Sequence, residues 1–191
     1  MLRINHLITP CLAFSIYILT GCGGSSKENS ESLKIQDMEI KRNEITTEDG
    51  TKGFKGDIDN TNLQTIYEGL AFEKVYLVDG SDNPINGEEV MINSKFSIVF
   101  DGIRNFTLVN GKAFPKMSML ITGESGAVVN EEDILAGYTD GLSPEDASVL
   151  RATFTVGEPM VSGQQYMCSV NIVDKNNQSA VIQSIWLFTV K

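Results

Sequence analysis

Histidine is all but missing from this 191-residue chain: its one copy, His6, falls within the first 21 residues. Past that point no imidazole is left to serve as a base near neutrality or as a zinc ligand. Nucleophilic catalysis of the Ser-His-Asp or Cys-His kind and histidine-based zinc sites are therefore not expected. Cysteine is nearly as scarce, with three copies at Cys11, Cys22 and Cys168. Positive charge is short as well, 15 basic residues standing against 25 acidic ones for a net charge of −10. Such a surface is repelled by phosphates, which argues against nucleic acid and against electrostatic adhesion to anionic lipid. No glycine-rich phosphate loop follows a strand pattern, so nucleotide binding has no support. Long apolar runs are also lacking: the longest, residues 7–19, is broken by Pro10 and falls short of the roughly 20 residues that a spanning helix needs.

What that opening segment does have is the order of a secretory leader: a basic start at Arg3, an apolar core over 7–19, then small residues. It closes on Leu19-Thr20-Gly21-Cys22, which resembles the lipobox of bacterial lipoproteins. The resemblance implies that residues 1–21 are removed and that Cys22 is acylated, making the membrane a partner through its acyl chains. At roughly 0.8 kcal/mol per buried methylene, one chain binds marginally, and the two or three chains of lipoproteins hold durably. The other reading is an ordinary secreted protein cut near Gly21 with Cys22 free. Loss of Arg3 leaves 14 basic against 25 acidic residues, a net charge of −11. Gly23 stands where Asp commonly retains such proteins at the inner membrane in enteric-type sorting, so the analogy implies the outer membrane. Lys27-Glu28 resembles the basic-then-acidic tether signal of surface lipoproteins in Bacteroidetes, and reads equally as a solvated linker pair. Residues 22–34, small and polar, are expected to form a flexible tether.

Residues 35–191 are expected to form an all-β, Ig-like antiparallel β-sandwich, as one domain or as two small β units. After a lead-in over 33–65, with one edge strand suggested by Leu33, Ile35 and Ile40 and loops around Gly50, Gly53 and Gly56, period-2 runs alternate with turn residues. Strands are predicted over 72–78, 90–92, 96–100, 117–121, 152–156, 166–173 and 181–190. The stretch 161–191 resembles the Ig-like modules of bacterial surface lipoproteins, without the Cys…Trp…Cys pattern of antibody domains. One inter-strand excursion breaks the rhythm. Asn130-Glu131-Glu132-Asp133 and Ser143-Pro144-Glu145-Asp146 each place a capping residue ahead of acids, which predicts two short helices.

Loops on a rigid scaffold commonly carry binding groups, so Tyr138 and Asp140 on this excursion are the candidate ligand contacts; the plainer reading makes its acids caps and solvated charges. Asp57, Asp59 and Glu68 occupy positions 1, 3 and 12 of a calcium loop. Thr61 and Asn62 depart from that pattern, so the calcium candidate is weak and no metal or cofactor is expected. Asp79-Gly80-Ser81-Asp82-Asn83-Pro84 reads as a turn. Cys168, alone once Cys11 leaves with the leader and Cys22 carries lipid, has no partner for an intrachain disulfide. It alternates with Tyr166, Val170 and Ile172 and is expected in the core, as is Trp186 in phase with Phe188 and Val190. No catalytic residues are assigned. A two-carboxylate glycosidase is the one enzyme class left open, because sequence does not show the separation of two acids. The expected function is a non-enzymatic binding module for an envelope protein or a glycan, with an adhesin or filament subunit as its rival.

Overall fold

The computed structural model describes residues 44–46, 52–56 and 62–191. Cys22, the tether, the suggested edge strand over 33–40, and Asp57 and Asp59 lie outside the described residues. The described residues fall within a compact unit, Met38–Lys191. They are mostly strand: β1 (Glu44–Thr46), β2 (Lys52–Gly56), β3 (Leu63–Glu68), β4 (Lys74–Asp79), β5 (Glu89–Val90), β6 (Lys95–Asp101), β7 (Pro115–Gly123), β8 (Gly126–Glu131), β9 (Val149–Thr155), β10 (Gln165–Asp174) and β11 (Asn177–Val190). One helix of four residues, α1 (Pro144–Ala147), interrupts them.

The strands form two sheets. The larger runs β1-β2-β3-β11-β10-β7-β8, with β5 added beside the end of β11, and the smaller is β4-β6-β9. Every pairing is antiparallel except β5 with β11. This is the sandwich-like all-β architecture that the alternating runs imply. The sheets meet through rings: Phe96 of β6 and Phe154 of β9 lie 5.9 and 6.3 Å from Trp186 of β11, and Trp186 stacks on Phe188 at 4.7 Å. Aromatic pairs of this kind contribute about 0.5–1.5 kcal/mol each beyond the area they bury. Cys168, Val170, Ile172, Ile182 and Trp186 have no exposed surface, as their period-2 phase requires. A polar pair sits inside the same layer: Thr65 and Ser184, opposite each other in register, are both buried and satisfy one another by a hydroxyl–hydroxyl bond.

Two regions depart from the sequence expectation. Strands β1, β2 and the start of β3 stand within the lead-in, β2 where loops around Gly53 and Gly56 are expected; β3 has a clear burial alternation, with Leu63, Thr65 and Tyr67 inward, but its inward Thr65 hides the apolar period. The first of the two predicted helices is absent. Asn130 and Glu131 instead finish β8 as the return arm of a β7–β8 hairpin. Asp133 caps a turn: its Oδ1 accepts the Leu135 N–H at 3.0 Å and the Met117 N–H at 3.3 Å. Asn130 and Glu131, the expected cap and first acid, are taken up by pairing with Leu120 and Met119, and beyond Asp133 the chain makes successive turns.

The excursion is also not free of core duties. A three-stranded sheet cannot cover an eight-stranded one, and the inward Met117, Met119 and Ile121 of β7 need a lid. Leu135, Leu142 and Ala147 join them in one buried apolar cluster. Gly141 fixes this lid: it has φ +72°, and a Cβ there would lie 2.9 Å from the Ala113 carbonyl oxygen, so only glycine fits without strain.

Candidate functional site

Alternation that buries one face of a strand exposes the other, and β7 and β10 expose polar residues. In register, Lys116 stands opposite Val173 and Ser118 opposite Asn171, which places the four side chains in two adjacent rows on the outward face of the large sheet. Where β10 turns into β11, Lys175 and Gln178 close the end of these rows. The six side chains line an open groove of about 430 Å³, a volume in the range of small-ligand sites.

The groove is set by hydrogen bonds behind it. Lys175 Nζ meets Asp133 Oδ2 at 3.0 Å, joining the turn to the root of the excursion, and the Lys175 N–H donates to the Phe114 carbonyl at 2.9 Å. Burial alone would raise the Asp133 carboxyl. It is outweighed by the hydrogen bond from Lys175, the N–H groups of Met117 and Leu135, and the Lys175 charge, so the group is held below its usual range. Asp174, fully buried, accepts the Thr107 N–H at 2.7 Å and the Asn176 N–H at 2.9 Å. It thereby straps the 102–113 loop to the β10–β11 turn. The tip of that loop is a two-residue turn, with Asn110 and Gly111 at φ 51° and 73° and Val109 and Lys112 exchanging backbone bonds, the left-handed pair that a tight hairpin demands.

Charge and bonding capacity inside the groove are uneven. Lys175 is partly neutralised by Asp133. Lys116 has no ion pair among the described residues, and the side chains of Ser118, Asn171 and Gln178 make no hydrogen bond to another described residue. A cation, two amides and a hydroxyl therefore converge around the apolar Val173 with their bonding capacity free. This arrangement can hold an anion or a hydroxyl-rich ligand.

The residues singled out in the sequence lie elsewhere. Tyr138 is 57% exposed on the turn over 134–141, and Asp140 is exposed on the same turn; neither lines the groove. Glu68 of β3 is engaged by Lys52 at 2.9 Å. Among the described residues no group of three or more histidine, cysteine or acidic side chains is placed to hold a metal ion. Cys168 is buried opposite Trp186, and burial pushes its thiol up to about 12. Sequence reasoning missed Lys116, Ser118, Asn171, Lys175 and Gln178. The outward phase of 166–173 carried a signal in Ser169 and Asn171, but the register that sets Asn171 beside Ser118 does not appear until β7 and β10 are paired. No family model matches the chain, and no curated protein matches it.

Proposed function

We propose that the mature protein is an envelope lipoprotein held on the outer membrane by acyl chains on Cys22, and that its Ig-like domain is a non-enzymatic binding module whose contact surface is the groove between β7 and β10. The observation that carries this reading is the convergence, on the outward face of β7 and β10, of polar side chains without a partner among the described residues, while the inward face of the same two strands is closed. Among the described residues the first strand of the large sheet is β1, and four strand spacings separate it from β10, about 19 Å.

The test joins anchor and groove. Metabolic labelling with a lipid analogue should acylate the wild type and leave Cys22→Ala unlabelled; label on Cys22→Ala would remove the anchor. With a photo-crosslinking residue at Ser118, the lipidated protein in its own host should capture a defined envelope protein or glycan that is not captured from Thr153 on the small sheet. Equal capture from both positions would remove the groove.

A structural subunit is the second reading. It is favoured by β8, an exposed strand at the open edge of the large sheet, since such an edge is a template for pairing. Concentration-dependent growth of the purified protein in sedimentation, abolished by Val128→Pro, would favour this reading over the binding module.

A further inference from the structure

We infer that the groove between β7 and β10 takes a sparsely charged acidic glycan, with a carboxylate on Lys116 and sugar hydroxyls on Asn171, Ser118 and Gln178. This rests on the groove being the binding surface and deepens that reading by naming the ligand class. Three features of the site select the ligand. The first is its charge. Two ammonium groups stand against one carboxylate, Asp133, so the site has about one positive charge to offer in a chain of net charge −10. The surrounding negative field opposes dense polyanions and phosphate-rich polymers, whereas one carboxylate among several hydroxyls suits both the site and the field.

The second feature is the type of donor. Lysine supplies a point charge without the planar fork that arginine offers to phosphate. Asn171 and Gln178 each present both a donor and an acceptor, and Ser118 adds a hydroxyl that does either. Sugar hydroxyls need this mixture, since each donates and accepts. Val173, between Lys116 and Lys175 on the groove floor, gives an apolar patch for the C–H face of a sugar ring.

The third feature is the absence of a backbone edge in the groove. β10 is paired on both sides, by β7 and β11, and β7 is closed by β8 and, at Met117, by Asp133 and Ile134. An acidic peptide cannot add as a strand here, and peptide recognition by strand addition depends on those main-chain bonds. Recognition has to run through side chains alone.

The experiment is calorimetric titration of the mature lipidated protein in detergent with a hyaluronan tetrasaccharide, in which glucuronate alternates with a neutral sugar. Saturable binding is expected, weakened about tenfold or more by Lys116→Gln, as for loss of a charge-assisted hydrogen bond. It should be kept by Lys116→Arg, weakened less by Asn171→Ala, and unchanged by Lys74→Gln on the small sheet. Circular dichroism melts of the variants should match the wild type. The carboxyl-methylated tetrasaccharide, inorganic phosphate and a glutamate-rich peptide should each bind more weakly. Equal binding of the methylated sugar, equal binding of phosphate or peptide, or no saturable binding of the tetrasaccharide would overturn the inference. If crosslinking from Ser118 still captures an envelope partner in that case, the ligand class falls and the binding surface stands.

Discussion

The inward side of β10 presents Tyr166, Cys168, Val170 and Ile172, all buried, while its outward side presents Met167, Ser169, Asn171 and Val173, of which only Ser169 is buried. The two sides share one backbone and one set of ladder bonds, yet they answer to different demands. Inward residues are chosen for volume and for contact with the rings of β11. Outward residues carry little packing, and near the β10–β11 turn they leave polar groups without partners. Packing thus accounts for one side of the strand and not for the other, which is where a functional explanation is needed.

The comparison is broken most severely by a change on the inner side. Trp186→Ala should cost about 3–5 kcal/mol, the range for truncating a large buried aromatic, read by urea denaturation; a loss below about 1 kcal/mol would mean that the ring layer is not the core. The Cys168 thiol supplies a second reading of the same layer. Burial pushes its pKa up to about 12, which disfavours the reactive thiolate, and a polar thiol reagent should modify the native protein far more slowly than the denatured chain. Similar rates in both states would put β10 in the opposite phase.

Smaller effects sharpen the boundary between the two sides. Ser184→Ala strands the buried Thr65 hydroxyl and should cost about 1–3 kcal/mol, with Thr65→Val on top of it restoring part of the loss. Asp133→Asn tests the strut behind the groove by its pH dependence. Because the folded carboxyl is held below its usual range, its stabilisation is present above the unfolded value of about 3.9 and is lost as pH falls through the folded value. Wild type and variant should therefore differ at neutral pH and converge in acid; a gap that widens on acidification would contradict the assigned partners. The smallest effects belong to the outer side, where Lys116→Gln and Asn171→Ala should change stability by no more than about 0.5 kcal/mol.

Legibility followed the same division. The inward phase of 166–172 and 186–190 was readable because large apolar residues recur at period two, and seven predicted strands correspond to β4–β7 and β9–β11. β2 was hidden by Gly53 and Gly56, residues that weaken a strand and signal loops, and β3 by an inward threonine. The end of β8 reads as a helix start because Asn130 and Glu131 look like a cap with its first acid, although the cap that forms is Asp133. Asn110-Gly111 carries a hairpin signal in sequence and forms a tight turn. The groove was the least legible feature: Lys116, Asn171 and Lys175 are unremarkable in sequence and become a site only through register. Tyr138 and Asp140 stood out as an aromatic and an acid on one loop, but that loop also serves as a lid on β7.

The most direct test of this division of labour is amide NMR of the ¹⁵N-labelled mature protein in detergent during titration with the hyaluronan tetrasaccharide. The account predicts shifts at Ser118, at the side-chain amides of Asn171 and Gln178 and at Lys116, with the resonances of Cys168, Trp186 and Thr153 unmoved. Shifts gathered on Tyr138 and Asp140 with the groove silent would contradict it.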